Sequence, residues 1–270
     1  MKLNADIVIV GSGASGGVLA ATLAEKTDKK IILLEKGGYY EGSSIEQEEL
    51  KVRHLFAERG TRGTKDGSMP VRGGQCVGGG TTVNVALCFD PIESVWKKWK
   101  LEYGLDQYSF NSKANDYDIS GLNMPNVLED IRKRINIHKP PDDMINDNNR
   151  LFSKGCKAEG VSFKKFELNI KNCFECGFCA MGCKYDRKMG TMITYIADAI
   201  KNGVQVIHNF DVQKIKFSGK NQNKKASYIQ GNIVKAHKHS LPNKYRDGSV
   251  TISAGLIIVA AGAVESPSLL

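Results

Sequence analysis

The run Ala5-Asp-Ile-Val-Ile-Val-Gly11-Ser-Gly13-Ala14-Ser15-Gly16-Gly17, answered by Ile31-Ile-Leu-Leu-Glu35, decides how this chain folds. Ile7 to Val10 is continuously apolar, as suits a strand buried on both faces of a parallel sheet. Each glycine that follows has its own task. Gly11 permits a tight turn off the strand, Gly13 lets the backbone approach a pyrophosphate with no Cβ in the way, and Gly16 lets the next helix pack closely on the sheet. The N-terminus of that helix presents free N–H groups to the anion. Glu35 ends the second strand where an acidic side chain accepts hydrogen bonds from ribose hydroxyls, and its charge disfavours a 2′-phosphate. The stretch therefore predicts a strand–helix–strand unit for FAD or NAD rather than NADP. A glycine turn alone is a weak signal; the strand, helix and acid around it make this one stronger.

Downstream, Ile45 to Ala57 has helical character. Arg72-Gly-Gly-Gln-Cys76-Val-Gly78-Gly79-Gly80-Thr81-Thr-Val-Asn84 cannot be a regular helix or strand, and so many glycines mean a backbone brought very close to something. Pro91 opens a helix in which Trp96 and Trp99 share a face and are expected in the core. Residues 101–171 are polar and broken by Pro125, Pro140 and Pro141, with a helix start at Asn126 to Glu129 and a second helix over Ile145 to Ala158 that stops near Gly160. The chain then returns to the sheet through a helix at Thr191 to Lys201, ended by Gly203, and a third parallel strand at Val204 to Ile207. Val212 to Ile252 reads as an antiparallel meander punctuated by Gly219, Gly231 and Asp247-Gly248. Leu256 to Gly262 reads as another buried strand, ending on small residues such as Ala261 where a backbone can lie against a ligand. The expected fold is α/β: a Rossmann-like parallel sheet with a β-meander and a mostly helical or irregular insertion, in segments 1–100, 101–184 and 185–270.

The 270 residues suffice for a substantial core, and 41% hydrophobic with 25% charged residues is ordinary globular composition. A net charge of +9 invites a nucleic-acid reading. Much of the excess lies between Lys214 and Arg246, however, interleaved with polar residues and not with stacking aromatics, so a solvated hairpin face is expected and no nucleic acid. No signal-peptide pattern and no apolar run of spanning length is visible, which leaves a cytoplasmic protein as the expectation.

Four of the seven cysteines crowd into Cys173-Phe-Glu-Cys176-Gly-Phe-Cys179-Ala-Met-Gly-Cys183. This C-x2-C-x2-C-x3-C spacing is the one bacterial ferredoxins use for iron–sulfur ligation, although Lys184 stands where proline normally follows. Tetrahedral zinc is the second reading and disulfides the third. Cys76, Cys88 and Cys156 are expected to be small buried hydrophobes.

Taken together, Gly11 to Gly16, Glu35, Gly78 to Asn84, Asn172-Cys-Phe-Glu-Cys-Gly, Val212 and Ala260 to Leu270 resemble the N-terminal half of a glucose–methanol–choline (GMC) flavoprotein oxidoreductase, of the subgroup with a cysteine-rich loop. The resemblance implies FAD, with its pyrophosphate at Gly11, Gly13, Ala14, Ser15 and Gly16 and its ribose on Glu35. It places the adenine near Val212, the central portion along Gly79, Gly80, Thr81 and Asn84, and small residues such as Ala261 beside the cofactor. It implies an alcohol or sugar substrate and a C-terminal half or subunit that roofs the flavin; a two-electron flavin paired with a one-electron iron–sulfur centre would in turn suit a dehydrogenase with an external electron acceptor. No catalytic residue is assigned: His138, His208, His237 and His239 are not placed to act as a base, and His54 is expected at the surface. The alternative from another class is a non-catalytic flavin- or metal-binding electron-carrier module, or an inactive remnant with a structural zinc loop. An NAD-dependent dehydrogenase is the alternative enzyme, which the second glycine run argues against.

Overall fold

The computed structural model describes residues 1–90, 92–103, 124–219 and 225–270. In chain order the elements are β1 (Lys2–Val10), α1 (Ala14–Lys26), β2 (Ile31–Leu34), α2 (Gly80–Val83), β3 (Leu87–Cys88), α3 (Glu93–Tyr103), α4 (Met124–Arg134), β4 (Ile137–His138), α5 (Asp147–Ala158), β5 (Glu167–Asn169), α6 (Tyr195–Lys201), β6 (Gln205–Ile207), β7 (Phe210–Ser218), β8 (Lys225–Ile233), β9 (Gly248–Val259) and α7 (Gly262–Leu269). They form two compact units, Met1–Val85 with Cys176–Leu270, and Ala86–Glu175.

In the first unit six described strands make one sheet in the order β6-β2-β1-β9-β8-β7. β1 runs parallel to both β2 and β9, and β2 to β6. The β7–β8 and β8–β9 pairs are antiparallel. The unbroken apolar run of β1 is explained by cover on both faces. Ile7 and Ile9, with Ile31 and Leu33 of β2, pack with Ala20 and Ala21 of α1 and Ile196 and Ala199 of α6. The alternate residues Val8, Val10, Ile32 and Leu34 pack with Phe210, Ile229, Ile233, Val250 and Ile252 from the meander. Ile9, Ile32, Leu33 and Leu34 are wholly buried, each worth about 1.5–3 kcal/mol relative to exposure.

Several expectations change. The meander and the last buried strand are one element, β9, which pairs antiparallel with β8 from Gly248 to Ser253 and parallel with β1 from Thr251 to Val259. Its Ser253-Ala254-Gly255 centre, read as a break, is where the strand gives up β8 while keeping β1. Leu256, expected inside, is 50% exposed. Gly231 lies within β8 and not between strands; a Cβ there would come within 2.4 Å of the Asp211 carbonyl oxygen on β7. The segment Ile45 to Ala57 forms short 3-10 turns instead of a continuous helix. Local turns already deliver Ile45, Val52 and Leu55 to a cluster with Tyr40 and Cys76, so no long helical ladder is required.

In the second unit β5 pairs antiparallel with β3 and β4, and Arg132 of α4 bridges Glu167 at 2.9 Å and Asp90 at 2.7 Å. Asn126 lies inside α4 and does not cap it. Asn146 caps α5, its side chain accepting from the Asn149 N–H at 2.9 Å, and Gly160 beyond the helix end has φ +65. Trp99, expected in the core, is 44% exposed on a lysine-rich helix; Pro91 and the side chain of Trp96 lie outside the description.

His54, expected at the surface, is half-buried. Its ring stacks on His237 at 4.1 Å and lies 4.6 Å from the Tyr40 ring and 6.2 Å from His239, with the Nε2 atoms of His54 and His239 buried and unpartnered by hydrogen bonds. Burial, with His237 and His239 beside it, pushes the His54 pKa down to about 4 against weaker support from the Lys51 backbone and Glu46. The unfolded chain takes up this proton near pH 6.5 and the folded chain resists it. Stability present above that pH is therefore lost as the pH falls toward 4. A loss of about 1–2 kcal/mol, discounted for partial solvation, is expected in urea unfolding between pH 7 and pH 4.5, and His54→Phe should flatten that slope.

Candidate functional site

The carboxyl ends of the parallel strands open on a groove of roughly 1150 Å³, the place where open α/β sheets take their ligands. Val10-Gly11 from β1, Leu34-Glu35 from β2 and Val259-Ala260-Ala261 from β9 contribute to its wall. The two glycine runs meet there. Gly79, at φ +52, sits so close to Gly13 that a Cβ on Gly79 would come within 2.9 Å of the Gly13 Cα. Of the residues selected from sequence, Gly11, Gly13, Ala14, Ser15, Glu35, Gly79, Gly80, Thr81, Asn84, Val212 and Ala261 all line the groove. Gly16 stands behind it, where a Cβ would fall 1.8 Å from the Gly11 carbonyl oxygen. The run 72–84, expected to lack regular structure, ends in the single helical turn α2.

The donor set suits a dinucleotide. α1 begins at Gly13 with no side chain capping it and no acid in its first turn, which leaves its N–H groups to an anion. A Cβ on Gly13 would meet nothing within 4 Å, so the space beside the backbone is open to a ligand. Glu35 is buried, and burial raises its pKa against the hydrogen bonds of Ser12 and Gly37. Its Oε2 accepts from Ser12 Oγ at 2.6 Å and Ser12 N at 3.1 Å, and Oε1 from Gly37 N at 2.9 Å. These bonds take three of a carboxylate's about four lone-pair directions, and the Lys36 backbone also bears on it, so a ribose hydroxyl would share the carboxylate with partners it already has.

Sequence reasoning passed over four contributors. Ser12 Oγ, besides donating to Glu35, accepts from the Gly78 N–H at 3.1 Å and so ties both glycine turns to the acid. Thr191 receives the same two turns: its N–H donates to Thr81 Oγ1 at 3.0 Å, and its Oγ1 to the Gly78 carbonyl at 3.3 Å and, at the limit of 3.5 Å, the Ser12 carbonyl. Arg62 pairs with Glu265 at 2.7 Å on the groove wall. Lys188, 4% exposed, donates to three carbonyl oxygens, and burial lowers its pKa to about 8. Ser12 stands at a variable position of the glycine motif, where its hydroxyl went unweighed; for Lys188 and Thr191 the one available signal was proximity to the cysteine run.

The cysteines depart from their expectation. Among the described residues no group of three or more His, Cys, Asp or Glu side chains is placed to hold a metal ion, and no cysteine is in a disulfide. Three of the sulfurs accept N–H hydrogen bonds: Cys173 Sγ from Glu175 N at 3.3 Å, Cys176 Sγ from Gln47 Nε2 at 3.2 Å and Cys183 Sγ from Arg187 N at 3.2 Å. Cys173, Cys176, Cys179 and Cys183 as arranged therefore do not fit a cubane or a tetrahedral zinc site. Cys76 is buried as expected; Cys88 and Cys156 are half-buried.

Residues 52–270 match the family model described as GMC oxidoreductase. The chain belongs to the GMC oxidoreductase family. A long-chain-alcohol oxidase of Arabidopsis thaliana is 26% identical over all of this chain and 34% of its own length. A GMC-type oxidoreductase of Mycobacterium tuberculosis is 28% identical over 99% of this chain and 39% of its own. In fold, a formate oxidase of Aspergillus oryzae matches with a TM-score of 0.66 at 15% identity, over 100% of this chain and 47% of that one. A pyridoxine 4-oxidase matches with a TM-score of 0.57 at 17% identity, over 97% and 50%. This GMC chain thus spans between a third and a half of the length of these relatives. No helix among its described residues is long and apolar enough to cross a membrane.

The two motif glycines should respond differently to substitution. In thermal unfolding without cofactor, Gly16→Ala should lose about 1–3 kcal/mol to overpacking against Gly11. Gly13→Ala, entering open space, should lose at most about 1 kcal/mol from the poorer cap.

Proposed function

We propose that this chain is the FAD-binding part of an oxidoreductase acting on the CH–OH group of an alcohol. The observation that carries the reading is the doubled glycine cradle at the carboxyl ends of β1 and β2, with Glu35 beside it and the uncapped end of α1 facing the groove. The α1 N–H groups would hold the pyrophosphate. Glu35 would accept from the ribose hydroxyls of the adenosine. Gly79, Gly80, Thr81 and Asn84 would lie along the central portion, and Val212 beside the adenine. Bound FAD would supply a hydride acceptor for the alcohol carbon. The long-chain-alcohol oxidases among the relatives support an alcohol over a sugar as substrate.

Among the described residues the groove is lined by no histidine: His208 is buried beside Asn209, with their side chains 2.8 Å apart, and His54, His237 and His239 gather elsewhere. The base that takes the hydroxyl proton is therefore assigned to a C-terminal half, on the same polypeptide or on a partner subunit, that completes the groove. No electron step is routed through the cysteine loop, because among the described residues it forms no group placed to hold a metal ion. The case for an external acceptor rested on a cluster there, and the oxidases among the relatives favour O₂ taken directly at the flavin.

Fluorimetric titration with FAD tests the cradle. Glu35→Ala should weaken binding by about 1.5–3 kcal/mol, the range for a hydrogen bond to a charged group, or roughly tenfold to a hundredfold. Unchanged affinity removes Glu35 from the site. Oxygen uptake and dye reduction with long-chain alcohols, measured with and without a C-terminal half, then separate oxidase from dehydrogenase and locate the base.

A further inference from the structure

Lys188 is buried, yet among the described residues no carboxylate pairs with it. Its ammonium donates to the carbonyl oxygens of Thr82 at 2.7 Å, Asn84 at 2.8 Å and Cys179 at 2.6 Å. Three acceptors match the three N–H donors of an ammonium, and without them a buried cation would be strongly unfavourable. Both groups it joins are short irregular segments. α2 spans only Gly80–Val83, far below the length at which a helix sustains itself, and its last carbonyls have no partner within the helix. The cysteine loop is turned by left-handed residues at Gly177, φ +74, and Gly182, φ +94. Gly182 packs on Ile45 and Leu55, where a Cβ would stand 3.1 Å from Ile45 and 3.2 Å from Leu55. One cation thus connects a loop seated on the core to the turn whose other side lines the groove.

We propose that Lys188 is a positioning residue for FAD, and that the cysteine-rich loop serves through it as a brace for the second glycine turn. This rests on the flavin reading above. Lys188 does not line the groove; it acts by holding Thr82 and Asn84, and hence Gly79 to Thr81, against Ser12 and Gly13. The loop's backbone carries the role, since the contact is to the Cys179 carbonyl and not to a thiol. Thr191 reinforces the same junction from three residues further on.

The test compares wild-type protein with Lys188→Met, which keeps the length of the side chain and removes all three donors. Lys188→Gln, which keeps two N–H donors on a shorter arm, is the second variant. Lys188→Met should weaken FAD binding at least tenfold, with cooperative unfolding of the FAD-free protein retained. At saturating FAD its visible circular dichroism and flavin midpoint potential should differ from wild type, a change that a loss of general stability would not produce. Affinity within twofold of wild type, with an unchanged flavin spectrum and potential, would overturn the proposal for any variant that folds. Failure of both variants to fold makes Lys188 a residue of general stability and overturns it equally. If wild-type protein binds no FAD, the flavin reading fails instead, and titration shows this before any variant is made.

Discussion

The hydroxyl of Ser12 is the point on which the candidate site depends. It is wholly buried, donates to Glu35 at 2.6 Å and accepts from the Gly78 N–H at 3.1 Å. One side chain thereby links the turn after β1, the acid after β2 and a glycine run more than sixty positions away. A hydroxyl can serve as donor and acceptor at once. Alanine would leave the buried Gly78 N–H without this acceptor, and such a group is expensive to leave unpaired, while Glu35 Oε2 would keep only the Ser12 N–H at 3.1 Å. The two glycine turns can then approach to backbone contact, which a Cβ at Gly79 would prevent, since it would stand 2.9 Å from the Gly13 Cα. A cradle with two walls results from a chain whose local preferences supply only one.

How much of this was legible follows from the range over which each signal acts. β1, α1 and β2 were readable because everything that shapes them is local: a continuous apolar run, glycines at fixed offsets, and an acid at the end of the second strand. The same holds for the third parallel strand after Gly203 and for α5, where Asn146 caps and Gly160 stops. β9 was misread because a strand that changes partners changes its burial pattern midway, and a window of a few residues reads two patterns as two strands. The expected helix from Ile45 failed for a related reason, since its apolar residues satisfy a cluster through turns as readily as through a helix. Ser12, Lys188 and Thr191 were missed because each makes a contact at least sixty-six positions away, which no local period announces.

The cysteine run shows how spacing alone misleads. Short gaps with Gly177 and Gly182 make convergence of four thiolates possible, and the sequence contains nothing that decides whether it occurs. In the fold, nearby N–H donors engage Cys173, Cys176 and Cys183 one at a time. Soft ligands require deprotonated sulfurs aimed at a common centre, and among the described residues no such group is formed. What the loop does supply is its backbone and its glycines, packed on Ile45 and Leu55 and tied to the cradle by Lys188. The sequence feature that looked most like chemistry is in this fold a feature of support.

A buried cation in that support has a further consequence for how the first unit is built. Most of its cohesion comes from two apolar layers on either face of the sheet, which are non-directional and tolerate small displacements. The groove, by contrast, is walled by short irregular segments whose positions are set by polar atoms: Ser12 on Glu35, Thr191 on Thr81 and Gly78, Lys188 on Thr82 and Asn84, and Arg62 on Glu265. Polar contacts are directional and costly to leave half-made. The sheet therefore determines that the chain folds, while this polar lacing determines whether the glycine turns end up at the separation a dinucleotide requires. A substitution in the first set should be felt as lost stability and one in the second as lost affinity, with Gly16 and Lys188 standing on opposite sides of that division.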